Sequence, residues 1–305
     1  MEESRILEEL KENYSYGIQG IKFLRDSGGV TYIVTGQEQK YFLKIAKEEF
    51  QDTIRQSVDI VRYLYEKGFP VPAVLGTKQG APILEIRDEG QEYLFVLFEY
   101  IEGKEPDPCS CGETIGELTG RLHKLLLDYK STLAERDRWF FVDRYVEILQ
   151  KKNYPHANEY ADLGAKFWER VKDCPKGVCH GDLHRGNLLE TAEGKIYLLD
   201  FDTICIAPRM FDVSVMCDMT DYFNLKTADI EKTGNVYGDF LAGYTRHIHI
   251  TEEERASFKD WVVIRHFQLQ AVIVEIFGMG CIDNDFIDRQ LKWLKSWEKQ
   301  SGIET

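Results

Sequence analysis

The tightest constraint on this chain is an eight-residue polar segment, His180-Gly181-Asp182-Leu183-His184-Arg185-Gly186-Asn187, in which an acid stands five positions before a carboxamide. Thirteen residues after Asn187, the apolar run Ile196 to Leu199 ends in Asp200-Phe201-Asp202. A buried strand over that run would hold Asp200 rigidly at its end. The residue types are those a phosphoryl-transfer site needs. One aspartate orients or deprotonates an attacking hydroxyl, and an asparagine and a second aspartate hold a divalent cation against nucleotide phosphates. Asn187 and Asp200 offer the oxygen donors that magnesium takes, and Asp182 is left as the base. The plain alternative is a polar turn between two strands, which would need none of these groups.

These residues resemble the signature of the aminoglycoside phosphotransferase and choline kinase family. The resemblance implies an α+β, protein-kinase-like bilobal fold, with a small antiparallel sheet and one helix in the N-lobe and a larger, mostly helical C-lobe. His-Gly-Asp replaces the His-Arg-Asp of protein kinases, and Asp-Phe-Asp their Asp-Phe-Gly; both departures favour the small-molecule branch. In element order the similarity runs from about residue 15 to the last helix. It implies a nucleotide-binding lobe over 1–98, a hinge at 99–103 and a catalytic, substrate-binding lobe over 104–305. It further implies adenine against the backbone of Glu99, Tyr100 and Ile101, Mg2+ as cofactor, and ATP or GTP as co-substrate. Asp212 resembles the later acid with which the family buttresses its catalytic loop.

The element pattern agrees. Ile21 to Leu24, Val30 to Thr35 and Lys40 to Ile45 read as strands separated by Gly-bearing turns. Phe50, Ile54, Val58, Val61 and Leu64 then recur at helical spacing, Gly68 follows, and Pro70 and Pro72 prevent resumption. Two more strands are expected at Pro82 to Ile86 and Tyr93 to Tyr100. Beyond residue 103 the spacing is mostly helical: a stripe at Ile115, Leu118, Leu122, Leu125 and Leu126 with His123 beside it, then 138–151, 158–172, 210–245, 252–277 and 284–298.

Lys44 stands late in an apolar strand and is the candidate phosphate cation, since lysine is seldom buried unpaired; an edge strand exposing it to water is the alternative. Ser27-Gly28-Gly29 lies between the first two strands, where a turn can cover phosphates, although the Gly-x-Gly-x-x-Gly of protein kinases is absent. Kinase-like sites pair the strand lysine with a helix glutamate. Aligning the helix on its end puts Ser57 at that place, with Asp59, Asp52 and Glu49 nearby, so the partner of Lys44 is open. His180 is expected to brace the loop, Asp202 to stand behind the metal ligands, and His184 and Arg185 to reach phosphate or substrate or to brace. Asp218, Asp221, Tyr222, Arg265 and His266 are the candidate substrate-side groups, with Tyr222 and Phe223 able to cage a quaternary ammonium.

The net charge of −14 falls on both halves, which argues against nucleic acid and anionic membranes as partners and suits a cationic acceptor as well as plain solubility. No run approaches the ~20 apolar residues of a membrane span, and no signal pattern opens the chain, so a cytoplasmic monomer or homodimer is expected. Seven scattered cysteines read as reduced thiols, including the Cys109-Ser110-Cys111 pair. The leading expectation is a nucleotide-dependent kinase acting on a hydroxyl of a small, amine-bearing molecule of aminoglycoside, choline or homoserine type. A bacterial Ser/Thr protein kinase is the second reading, opposed by the short segment between Asp202 and Asp212. A catalytically weak nucleotide-binding regulator is the third.

Overall fold

The computed structural model describes residues 1–26, 29–47, 50–130, 132–226 and 228–300. Two compact units emerge: residues 1–106 with 186–204, and residues 107–185 with the chain from 205 onward.

In the first unit, helix α1 (Glu3–Asn13) precedes β1 (Gly20–Asp26), β2 (Val30–Thr35) and β3 (Lys40–Lys47). Helix α2 (Gln51–Glu66) follows, then β4 (Val74–Leu75), β5 (Leu84–Asp88) and β6 (Gln91–Glu99). The antiparallel order is β1-β2-β3-β6-β4, and β5 pairs with the first half of β6. Alternation drives the pairing: Tyr41, Leu43 and Ile45 of β3 and Phe95 and Leu97 of β6 bury against Ile6, Leu10 and Tyr14. Helix α2 buries Ile54, Val58, Val61 and Leu64, with Ser57 on the same buried side, and ends before Gly68 at φ +70°. Helix α1 and the two-residue β4 were not anticipated. The first is an amphipathic helix whose polar face dominates its composition, and the second is too short to show a period.

A hairpin of β8 (Leu188–Glu190) and β9 (Ile196–Leu198) belongs to this same unit, although it lies within the 104–305 stretch expected for the helical lobe. The Leu198 N–H donates to the Pro70 carbonyl (2.9 Å), which ties the hairpin to the segment after α2.

The second unit holds α3 (Pro108–Leu126), a π-helical turn (Trp139–Asp143), α4 (Arg144–Lys151) and α5 (Ala157–Val171). Strand β7 (Lys176–Cys179) pairs with β10 (Cys205–Pro208), and α6 (Met210–Cys217), α7 (Ala228–Tyr244), α8 (Glu252–Phe277) and α9 (Asn284–Gln300) follow. The expected helical stretch over 210–245 thus breaks between Cys217 and Ala228. Thr251 and Glu254 form a reciprocal cap that starts α8, and Trp261, Ile264, Phe267 and Ala271 are fully buried on that helix.

Helices α3 and α7 pack at backbone contact. A Cβ at Gly116 would lie 1.9 Å from the Phe240 carbonyl oxygen, and one at Gly243 2.0 Å from that of Glu113. Backbone cannot yield there as a side chain would. Gly116→Ala is therefore expected to destabilise the fold by about 1–3 kcal/mol, measured by chemical denaturation, with Gly234→Ala as the control because nothing lies within 4 Å of its Cβ position.

Candidate active site

The β8–β9 hairpin explains the spacing between Asn187 and Asp200. Leu188 pairs with Leu198, and the next rung is the Leu199 N–H donating to the Asn187 carbonyl (2.9 Å). Carboxamide and carboxylate therefore leave the same end of one hairpin. Asn187 is buried, and Asp200 adopts φ +58°, a left-handed conformation that aspartate and asparagine tolerate better than most side chains. Backbone held in a sparsely populated region is characteristic of functional sites.

Lys44 is buried, and its Nζ lies 3.0 Å from Asp200 Oδ1 and 2.5 Å from Asp202 Oδ2. Burial alone would lower its pKa; the attraction of Asp200 and Asp202 outweighs that, and the net shift is upward. Burial raises the Asp202 carboxyl, and the negative charge of Asp200 adds to it, against the pull of Lys44 and a hydrogen bond from Ser57. The missing helix glutamate is thus accounted for. Its place on α2 is taken by the buried Ser57, and Asp202 is the second acid on the lysine. Asp59 and Asp52 are not the partner of Lys44, and Glu49 lies outside the described residues. The edge-strand alternative for Lys44 is excluded, because β3 lies between β2 and β6.

Arg25 of β1 also reaches Asp200 (Nη2 to Oδ2, 3.5 Å), a contact the sequence did not announce. Ser27 and Gly28 fall outside the described residues. Gly29 has φ +145°, and a Cβ there would stand 3.1 Å from the Ile45 carbonyl oxygen and 3.7 Å from Lys44 Cε. Glycine lets the backbone at residue 29 lie directly on the lysine strand. Glu99 closes β6 and accepts from the Ala73 N–H (3.2 Å), while Tyr100 lies under the Lys40 ammonium (5.5 Å) and Ile101 is half-buried. Glu99 and Tyr100 line a pocket of about 460 Å³ with the β2–β3 turn.

In the helical unit, the carboxylate of Asp212 holds the start of the loop. It accepts from the His180 N–H (2.7 Å) and the Gly181 N–H (2.9 Å), and its Oδ2 lies 3.0 Å from His123 Nε2. His123 Nδ1 meets the Tyr244 hydroxyl at 2.8 Å, and an Nε2–H tautomer satisfies both contacts. His123, Cys179 and Asp212 have ligand atoms within 4.8 Å of one another. That grouping is a hydrogen-bonded brace rather than a metal centre: burial pushes the Cys179 thiol up, and its S–H donates to the Ala207 carbonyl. His180 is fully buried, and its Nδ1 accepts from the Asp182 N–H (3.3 Å).

The half-exposed Asp182 carboxylate faces His184 Nε2 at 3.4 Å and Arg265 Nη2 at 3.5 Å. Burial tends to raise its pKa, but a hydrogen bond from His184 and the charge of Arg265 reverse this, leaving it below the ordinary value. Arg185 is exposed. Asp218 Oδ1 accepts from the Thr220 N–H (3.0 Å) and hydroxyl (2.6 Å), and Oδ2 from the Tyr222 hydroxyl; burial raises its pKa. Asp221 is exposed and caps its own turn, accepting from the Phe223 and Asn224 N–H groups. His266 is fully buried among Tyr222, Phe267 and Trp293, and burial lowers its pKa to about 3. The expected cage of Tyr222 and Phe223 is not formed: Tyr222 turns inward onto His266, while Phe223 is 74% exposed and meets Phe286.

A family model described as the phosphotransferase enzyme family matches residues 21–258. The chain belongs to that family. Among its relatives, this phosphotransferase is 24% identical over 246 residues to a homoserine kinase of Zymomonas mobilis, covering 74% of this chain and 71% of that one. Among solved structures, an amicoumacin kinase in complex with AMP-PNP, Ca2+ and Ami superimposes with TM-score 0.78 at 20% identity, covering 98% of this chain and 94% of the other. A microcompartment-associated aminopropanol kinase does so with TM-score 0.73 at 16% identity, over 99% of both chains. The phosphotransferase therefore has the kinase-like α+β fold read from its motifs. Among its described residues, no helix is long and apolar enough to cross a membrane.

Proposed function

We propose that this phosphotransferase moves the γ-phosphoryl group of ATP or GTP to a hydroxyl of a small, amine-bearing molecule. The observation that carries the proposal is the hairpin end at which Asn187 and Asp200 emerge together, with Lys44 on Asp200. Two hard oxygen donors beside a buried ammonium suit a divalent cation and a polyphosphate. Asn187 and Asp200 would hold Mg2+, which would offset charge on the phosphates. Lys44, with its charge secured by Asp200 and Asp202, would hold phosphate oxygens, and Gly29 would let the turn above approach them. Glu99, Tyr100 and Ile101 would flank the base of the nucleotide.

Asp182 would accept the hydroxyl proton, or orient the hydroxyl while proton transfer comes late, with Asp212, His180 and His123 fixing the loop. Homoserine, amicoumacin and aminopropanol kinases among the relatives favour a small-molecule acceptor over a protein. The test is nucleoside diphosphate release with Mg2+ across a panel of hydroxy compounds. Turnover on a generic protein substrate instead would favour the protein-kinase reading, and saturable nucleotide binding without any turnover would favour the regulator. Asp200→Ala is expected to weaken Mg2+-dependent nucleotide binding at least about tenfold, the scale of one lost charged contact, measured by calorimetry with and without Mg2+.

A further inference from the structure

We infer that the acceptor carries a carboxylate as well as a hydroxyl, and that Arg265 is its anchor. The inference rests on Asp182 being the group that meets the acceptor hydroxyl. Arg265 lies on α8 with its side chain only 10% exposed, and Nη1 donates to the Gln268 side chain one turn further on, which fixes the direction of the fork. Nη2 faces Asp182 Oδ1 at 3.5 Å, beyond an ordinary N–H···O bond. A guanidinium has five donors, and among the described residues no other acceptor takes them. Asp218 also exerts charge on Arg265, but its oxygens are already engaged by Thr220 and Tyr222.

A positive charge at this place weakens a base, because it stabilises the ionised carboxylate. Holding the loop does not require it: Asp212 takes the His180 and Gly181 N–H groups, and His180 takes that of Asp182. A planar fork aimed at a reactive carboxylate, with donors to spare, suits a second carboxylate brought by the acceptor. Pairing with it would draw charge from Asp182 and restore its basicity only when the right acceptor is bound. The geometry also bounds size. With ordinary hydrogen bonds to Asp182 Oδ1 and Arg265 Nη2 and the 3.5 Å between those two atoms, the hydroxyl oxygen and the nearer carboxylate oxygen can be at most roughly 9 Å apart. A short hydroxy acid fits that bound. A simple amino alcohol lacks the second group.

The experiment measures diphosphate release and calorimetric binding for homoserine and 4-hydroxybutanoate, each against its carboxamide, and for 3-aminopropan-1-ol. Wild-type enzyme is expected to prefer each acid over its amide by about 10- to 100-fold in kcat/KM. Arg265→Gln should raise KM for the acids by a similar factor and erase the preference, read as the ratio of kcat/KM within each acid–amide pair rather than as the absolute rate. Arg265→Lys should restore part of the preference. Equal use of acids and amides by wild type, a uniform loss on every acceptor in Arg265→Gln, or no saturable binding of either acid overturns the inference. Saturable acid binding that needs Arg265, without diphosphate release from any compound, upholds the anchor and overturns the phosphotransfer reading instead.

Discussion

Asp182→Asn is expected to keep nucleotide affinity within about twofold while turnover falls by roughly 10²- to 10⁴-fold, the range that a positioned acid–base group contributes. The carboxamide preserves the shape and retains one oxygen toward Arg265, so the loop, held through Asp212, stays in place. What disappears is the ability to take a proton and the negative charge that aligns a hydroxyl. The expected pattern is loss of kcat with Mg2+-nucleotide binding retained, the converse of Asp200→Ala. Steady-state kinetics beside calorimetry separates the two, and normal turnover in Asp182→Asn would remove this residue from the mechanism. The pH response follows from the depressed pKa of Asp182. The group stays ionised until the pH falls below the ordinary carboxylate range, so its acid limb in kcat/KM should lie below that range, provided the fold survives there.

What the sequence made legible was what is local. The loop from His180 to Asn187, the apolar run before Asp200 and the alternation of β2, β3 and β6 each carry their signal within a few residues, and each is found where expected. The thirteen-residue spacing even had a mechanical meaning, a short hairpin whose last rung joins Asn187 to Leu199. The illegible parts depend on pairing distant segments. No periodicity states that the acid facing Lys44 comes from Asp202, far along the chain, rather than from α2. Arg25 was hidden in an exposed strand, and the break between α6 and α7 behind apolar residues that suit helix on either side. His123 does carry a sequence signal. A histidine beside the apolar stripe of α3 has to find polar partners once buried, and it finds Asp212 and Tyr244. For the substrate-side residues the sequence offers only residue type. The structure separates them by exposure: Asp221 turns to solvent, His266 is sealed among aromatic rings, and Arg265 faces Asp182.

Asp212→Ala should cost about 3–5 kcal/mol, because removing a fully buried carboxylate leaves its partners without an acceptor. Three donors lose their bond at once: the His180 N–H, the Gly181 N–H and His123 Nε2. None can turn to water, since His180 and His123 are almost wholly buried and Gly181 adopts φ +85°, which fixes the direction of its N–H. A drop in the apparent melting midpoint of roughly 5–15 °C follows from the usual entropy of unfolding for a unit of this size. His123→Phe supplies the comparison. It removes one donor of the same network but leaves both loop N–H groups paired with Asp212, so its effect should be smaller, and turnover measured well below the midpoint should persist. Asp212→Ala should lose turnover even at low temperature, where the protein is folded, because Asp182 sits one residue beyond Gly181 and loses its fixed position. An unchanged midpoint in Asp212→Ala, or full activity in the cold, would mean that the loop is held by something other than this carboxylate.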